Sequence, residues 1–248
     1  MIHKNDLLVK ITGELAEAKP DWAYLREWNS QKLLEISEEL DSNVVSSVSE
    51  RHVQQSLEKI CSELKDRALI NPIRPGQIGG YTFKRPKNKN VYVQKGRHVY
   101  SEMDALIVVD SLPVLFEVKL STSETKSATA SMGWKNGFVK KHTAANGKVR
   151  KPGSLGVNYA MTEQRIDYLL HPIREYFGQE ECGYVLVILP EMIKPGSDTL
   201  KNFINSNGIV VPFYTSRSAF IEDIKSELSP PKMTNGPRFL GVYESNRS

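Results

Sequence analysis

Apolar side chains recur at helical spacing in several parts of the chain. Residues 5–42 predict helix with a break at Pro20, and a second predicted helix covers about 47–69. A third predicted helix covers 162–177, and a short one covers 219–228. The pattern therefore places helices both before and after the central part of the chain.

Strand-like alternation replaces the helical period between residues 81 and 120. The strongest segments are 102–109 and 114–120, joined by a predicted hairpin turn at 110–113. Later strands are predicted at 184–189 and 208–214.

This order of elements favours an α/β (α+β) fold with a mixed central β-sheet flanked by helices. At 248 residues the chain has room for one large domain with a helical appendage. We therefore predict an N-terminal helical region at residues 1–45 and a main domain at residues 46–248.

The composition is that of a globular chain, with 40% hydrophobic and 25% charged residues. No apolar run reaches the roughly 20 residues that span a bilayer. Acids interrupt the N-terminal segment where a signal peptide needs an apolar core, so we expect no membrane contact and a cytoplasmic location. The two cysteines, Cys61 and Cys182, lack metal-ligand spacing to histidines, which disfavours a disulfide framework and a zinc site.

The positive charge is concentrated in two segments. Residues 81–101 and 133–153 together carry 12 Lys or Arg and no acid, so 33 − 12 = 21 bases face 29 acids elsewhere, a net charge of −8. An acidic body with two basic segments suits a polyanionic partner. Two solvated basic loops explain the same count equally well.

Acidic side chains interrupt the two neighbouring apolar strands of the predicted hairpin. Because side chains alternate between the faces of a strand, Glu117 and Lys119 project together, roughly 7 Å apart. A hairpin that pairs Val109 with Val114 sets Asp104 opposite Lys119. In that register Asp104 and Glu117 are diagonal neighbours on one face of the sheet.

Two carboxylates beside a lysine suit a metal-dependent phosphodiesterase. Mg²⁺ takes one or two carboxylates and keeps waters and phosphate oxygens as its other ligands, and it activates water and stabilises charge on phosphorus. The pattern Asp/Glu-x-Lys occurs five times in the chain, but only residues 117–119 fall in an apolar strand. A cross-strand ion pair on an exposed face is the alternative that these residues leave open.

The segments Glu102-Met-Asp and Glu117-Val-Lys, after one helix and before another, resemble the PD-(D/E)XK nuclease superfamily over about residues 47–190. A methionine, Met103, stands at the position of the superfamily's nominal proline. The resemblance implies a restriction-endonuclease-like core within residues 46–248 and a Mg²⁺ or Mn²⁺ cofactor. It implies as metal ligands Asp104, Glu117 and the backbone carbonyl of Val118, with Lys119 handling the attacking water.

Two further elements of that superfamily have counterparts in this sequence. Many members add a glutamate from the preceding helix, and Glu50 lies at about 60° on a helical wheel whose apolar stripe is centred near about 20°, so it faces inward. A first-turn acid favoured by the helix dipole explains Glu50 equally well. Gln164 and Tyr168 resemble the Gln-x-x-x-Tyr element of the RecB-like branch, although their helical phase places them on the polar face.

Taken with this resemblance, the residues favour a Mg²⁺-dependent DNA endonuclease of restriction or defence type that acts on double-stranded DNA. A symmetric homodimer is a common arrangement for cutting both strands. The alternatives are a repair, recombination or RNA-cleaving nuclease of the same fold, and a non-catalytic nucleic-acid-binding module. The catalytic set is Asp104, Glu117, Lys119 and Glu50. The predicted nucleic-acid contacts are Lys84, Arg85, Lys87, Lys135, Lys140, Lys141, Lys148, Arg150, Lys151, Gln164 and Tyr168.

Overall fold

The computed structural model describes residues 1–20, 22, 42–85, 90–119, 157–192 and 196–228. Within these residues the chain forms a mixed five-stranded sheet, a four-stranded antiparallel sheet and six α-helices, one of them at the N-terminus. The predicted class, a mixed central sheet flanked by helices with an N-terminal helix, is thereby confirmed.

Local sequence explains where the helices begin and end. The Asn5 side chain caps the first helix by accepting a hydrogen bond of 2.8 Å from the N–H of Leu8. The helix that begins at Glu163 ends before Gly178, whose φ of 65° is a left-handed conformation that glycine adopts without strain. The helices are α1 (Asp6–Glu17), α2 (Ser42–Leu64), α3 (Val157–Ala160), α4 (Glu163–Phe177), α5 (Asp198–Asn205) and α6 (Arg217–Leu228).

Nine strands form the two sheets within the described residues. They are β1 (Ala68–Ile70), β2 (Gly76–Ile78), β3 (Tyr81–Lys84), β4 (Val91–Lys95), β5 (His98–Met103), β6 (Ala105–Val109), β7 (Leu112–Lys119), β8 (Gly183–Ile188) and β9 (Ile209–Pro212). The mixed sheet has the order β1-β6-β7-β8-β9, in which β8 runs parallel to both of its neighbours. The antiparallel sheet has the order β2-β3-β4-β5.

The mixed sheet separates two apolar cores. One core contains residues of α1, α2 and α6, such as Leu8, Leu57 and Phe220. The other contains residues of α4, α5 and the antiparallel sheet, such as Leu170 and Phe203. Strands β7 and β8 are therefore covered on both faces, which is why β8 is a continuous apolar run.

The β6–β7 hairpin has a tighter turn than the sequence predicted. Asp110 and Ser111 have φ values of 47° and 71° and form a two-residue turn, so Val109 pairs with Leu112. The predicted pairing of Val109 with Val114 is therefore wrong by two residues. The physical reason is that an aspartate and a serine adopt the left-handed conformation here. A shift of two keeps every side chain on its predicted face.

The N-terminal helix packs in the same core as the sheet, because Leu8 and Ile11 belong to the cluster that contains residues of α2 and β9. The predicted boundary between residues 45 and 46 lies inside α2, which is unbroken from Ser42. The predicted helix between residues 23 and 41 lies outside the described residues. Among the helices that the structure describes, none is long and apolar enough to cross a membrane.

Candidate functional site

Asp104 lies at the bend where the chain leaves one sheet and enters the other. Strand β5 of the antiparallel sheet ends at Met103, and β6 of the mixed sheet begins at Ala105. The observed β6–β7 register, carried one step further, sets Asp104 directly opposite Glu117 rather than diagonal to it. The N–H of Val118 donates a hydrogen bond of 2.7 Å to Oδ2 of Asp104, which ties the bend to β7.

Glu117 is a fully enclosed carboxylate that faces two cationic side chains. Its side chain is 2% exposed, and its Oε1 lies 2.7 Å from Nζ of Lys119 and 3.4 Å from Nη2 of Arg165. Arg165 comes from the first turn of α4 and is buried, whereas the side chain of Lys119 is 33% exposed. Lys119 therefore lies on the solvent-accessible side of Glu117, and Arg165 lies on its buried side.

The two facing acids have opposite protonation preferences. Burial raises the pKa of Asp104 well above its usual value, and the charges of Glu50 and Glu117 raise it further, against a smaller lowering by Lys119. Burial also acts to raise the pKa of Glu117, but Lys119 and Arg165 outweigh it and hold that pKa below its usual value. Burial acts to lower the pKa of Lys119, and the two carboxylates more than reverse this. The site thus gathers the carboxyl groups of Glu50, Asp104 and Glu117 around two cationic side chains.

Helix α2 supplies a polar side to the site. Gln54 donates a hydrogen bond of 2.6 Å from Nε2 to the backbone carbonyl of Asp104. Asn90 donates from Nδ2 to Glu50 Oε2 at 3.0 Å and to Glu102 Oε1 at 3.1 Å. The half-buried Glu50 is thus held by hydrogen bonding on the side of α2 that faces Asp104, where its charge raises the pKa of that acid.

The oxygen atoms of the two facing acids fit a divalent cation. The N–H of Val118 donates to Oδ2 of Asp104, and the nearest atom of Glu117 to both Lys119 and Arg165 is Oε1. The structure brings together no group of three or more His, Cys, Asp or Glu side chains that could hold a metal within the residues it describes. Two carboxylates with a backbone carbonyl and waters are nevertheless sufficient for Mg²⁺. The donor set therefore fits the metal expected from the sequence.

Comparisons of the chain with protein-family models, with curated proteins and with solved structures found no match. The geometry of the residues therefore carries the functional assignment.

The predicted basic contacts fall mostly outside the described residues. Lys84 and Arg85 are described and exposed at the end of β3, where Arg85 Nη1 donates a hydrogen bond of 3.3 Å to the carbonyl of Asn71. Their role in nucleic-acid binding stays a prediction. The contacts outside the described residues are Lys87, Lys135, Lys140, Lys141, Lys148, Arg150 and Lys151.

The two α4 residues with a predicted contact role differ in environment. Gln164 is exposed, as its helical phase predicted. Tyr168 is half-buried and stacks on Tyr100, with ring centroids 4.2 Å apart. Its hydroxyl donates a hydrogen bond of 2.6 Å to the carbonyl of Tyr100, and the Tyr100 hydroxyl donates one of 3.1 Å to the carbonyl of Tyr168. This pair of bonds joins α4 to β5.

Sequence reasoning missed Arg165, Gln54 and Asn90. For Arg165 a signal existed, because at about 100° per residue it lies about 40° from Leu169 and about 20° from Pro172, at the edge of the buried stripe of α4. An arginine at that position signals a buried partner. Gln54 and Asn90 carried no comparable signal, since their contacts depend on how α2 packs against the bend.

Proposed function

We propose that the chain is a divalent-metal-dependent endonuclease that hydrolyses phosphodiester bonds of double-stranded DNA, in a restriction or defence setting in the cytoplasm. The observation that carries the proposal is the facing pair of buried carboxylates, Asp104 and Glu117, with Lys119 beside them. Buried acids with perturbed pKa values beside a lysine are typical of functional sites. The resemblance of residues 102–104 and 117–119 to the PD-(D/E)XK pattern supports the same reaction.

Mg²⁺ or Mn²⁺ is the cofactor of this proposal, and Asp104, Glu117 and the carbonyl of Val118 are the residues that would hold it. All three offer hard oxygen ligands, which both ions accept. When bound, such a cation polarises the phosphate and lowers the pKa of a bound water. Its charge would also relieve the repulsion from Glu50 and Glu117 that raises the pKa of Asp104.

Lys119 is the side chain best situated to act on a substrate. It is 33% exposed while its Nζ is held 2.7 Å from Oε1 of Glu117. An ammonium group in this position can donate a hydrogen bond to a phosphate oxygen or orient the attacking water. The bonds from Val118 and Gln54 hold the Asp104 backbone and carboxylate in place beside it.

A polyanionic substrate agrees with the location of the basic residues. Lys84 and Arg85 end the strand β3, in the antiparallel sheet that leads through β5 into Asp104. Contacts between such residues and phosphates release counterions, so binding should weaken steeply as salt increases. Cutting both strands with one site per chain favours a symmetric dimer as the working form.

The second candidate is a non-catalytic nucleic-acid-binding module, and the ion cluster at Glu117 favours it. Lys119 and Arg165 both approach Oε1 of Glu117, and a buried cluster of this kind also serves purely structural roles. Within the enzyme class, RNA cleavage and a role in repair or recombination are the alternatives. They differ in substrate and not in the site.

The test is cleavage of supercoiled plasmid DNA with Mg²⁺, with Mn²⁺ and with EDTA, run in parallel on RNA substrates. We expect nicked or linear plasmid with either metal and intact plasmid with EDTA. Asp104→Ala should abolish cleavage, and Asp110→Ala, which removes an exposed acid of the same hairpin, should not. Nicking that survives Asp104→Ala would overturn the site assignment, and binding without cleavage of DNA or RNA would favour the module.

A further inference from the structure

We propose that Arg165 is a positioning residue of this site: its guanidinium holds one oxygen of Glu117 and thereby leaves the other oriented for a divalent cation. The inference rests on the proposed function. Arg165 carries no role in the PD-(D/E)XK resemblance, and its assignment comes from its burial and its contacts.

Burial is the first argument. Arg165 is 7% exposed, and arginines are almost never buried unless a partner compensates the lost hydration. Nη2 of Arg165 lies 3.4 Å from Oε1 of Glu117, which is itself 2% exposed. Glu117 therefore compensates the charge of the buried arginine, and the arginine in turn restrains the Glu117 carboxylate.

The support of Arg165 is the second argument. The guanidinium carbon lies 5.6 Å from the centroid of the Tyr168 ring, within the range of a cation–π contact. Tyr168 is locked to Tyr100 by stacking and by two hydrogen bonds between hydroxyls and carbonyls. Tyr100 belongs to β5, whose end leads into Asp104. One rigid connection thus sets the arginine, and through it Glu117, relative to the second acid of the site.

The division of labour with Lys119 is the third argument. Lys119 approaches the same Oε1 more closely, at 2.7 Å, but its side chain is 33% exposed and can turn toward a substrate. Arg165 lies on the enclosed side and is planar, with donors in a fixed fork, whereas an ammonium group is a point charge. The arginine is therefore suited to keep Glu117 in place when Lys119 engages a phosphate.

The test measures Mn²⁺ affinity by electron paramagnetic resonance, on the whole chain and without DNA. Arg165→Lys keeps the charge and loses the planar fork, and Arg165→Met loses both. Groups that orient a metal ligand typically change metal affinity by 10-fold to 100-fold when mutated, so we expect affinity to fall about tenfold in both variants. The matched control is Arg174→Lys, which changes an arginine of the same helix that pairs with the exposed Asp167 and should bind Mn²⁺ as wild type does.

The second readout is the Mg²⁺ dependence of plasmid cleavage. A positioning role predicts that saturating Mg²⁺ restores the Arg165→Lys rate to within about threefold of wild type, because the orientation of Glu117 limits binding and not the reaction. If Arg165→Met fails to fold, as judged by circular dichroism, the result for Arg165→Lys decides alone. A fall in Mn²⁺ affinity of less than about threefold, or a rate that saturating Mg²⁺ does not restore, overturns the inference.

Failure of the inference and failure of the proposed function give different results. If wild type neither binds Mn²⁺ nor cleaves nucleic acid, the proposed function fails and takes the inference with it. If wild type binds Mn²⁺ and Asp104→Asn removes that binding, the site stands. In that case unchanged affinity in the Arg165 variants rejects only the positioning role.

Discussion

The β6–β7 hairpin pairs acids with bases at both of its ends, but in opposite environments. At the turn, Arg67 donates hydrogen bonds of 3.0 and 2.6 Å to the two carboxylate oxygens of Asp110, and both side chains are exposed. At the open end, Glu117 meets Lys119 and Arg165 inside the protein. Acidic and basic side chains thus form an exposed ion pair at one end of the hairpin and an enclosed site at the other.

The difference shows what burial adds to an ion pair. Hydrogen bonding to Arg67 lowers the pKa of Asp110, and water screens the rest of that interaction. At the enclosed end, burial and neighbouring acids push the pKa of Asp104 up while two cations hold that of Glu117 down. A fold gains little stability from crowding acids together, so the enclosed end is the one that points to function.

The largest expected effect is on activity. Glu117→Gln keeps the shape of the side chain but removes a metal ligand, and we expect Mg²⁺-dependent cleavage to fall at least about a thousandfold, roughly 4 kcal/mol of transition-state stabilisation. Asp110→Asn makes the same chemical change at the turn and should leave the cleavage rate unchanged. The measurement is the initial rate of plasmid nicking. Equal losses in the two variants would remove the distinction between the ends.

The next effect is on stability without metal. Glu117→Gln removes the acid that contacts both Lys119 and the buried Arg165, which should cost about 3 kcal/mol of unfolding free energy. Chemical denaturation in EDTA measures it. An unchanged denaturation midpoint would mean that the cluster is already solvated, and would contradict the enclosed geometry.

His52, a buried histidine outside the hairpin, should make the unfolding free energy of the protein depend on pH. Burial lowers the pKa of His52 from 6.5 to about 4. As the pH drops, the unfolded chain takes up this proton near pH 6.5 and the folded chain only near pH 4. The unfolding free energy should therefore fall by about 3 kcal/mol between pH 6.5 and about 4, and level off below that.

The variant His52→Phe keeps a ring in contact with Phe213, whose centroid lies 5.1 Å from that of His52. Denaturation measured across this pH range should lack the His52 contribution. A curve parallel to that of wild type would show that His52 is not the source.

The smallest effect belongs to the turn. Asp110→Asn removes an exposed pair and should lower the unfolding free energy only slightly, a loss that should shrink further in high salt. The corresponding loss for Glu117→Gln should depend much less on salt, because its partners are buried or partly buried. Denaturation at low and high salt separates the two, and equal salt sensitivity would contradict the comparison.

Much of the fold could be predicted from periodicity. The alternation in β6 and β7 and the helical stripe of α4 both mark elements that the structure contains. The register was missed by two residues, because whether Asp110 and Ser111 adopt a left-handed conformation depends on the twist of the flanking strands. Periodicity also does not report that β7 is covered on both faces, which depends on the packing of α2 and α4.

The candidate site was predictable where it depends on strand alternation. Glu117 and Lys119 share a face whatever the register, and a shift of two residues left Asp104 on that face as well. Arg165 and Glu117 are 48 residues apart in the sequence, and their contact depends on how α4 packs across the sheet. The helical phase of Arg165 indicates a buried partner, but no local pattern identifies that partner as Glu117.

The central claim is that Asp104 and Glu117 together hold a divalent cation, and anomalous diffraction from crystals grown with Mn²⁺ tests it most directly. The account predicts an anomalous peak between the two carboxylates, which is lost in Asp104→Asn. A structure with Mn²⁺ at millimolar concentration and no peak there, or with the carboxylates still engaged only by Lys119, Arg165 and Val118, would contradict it.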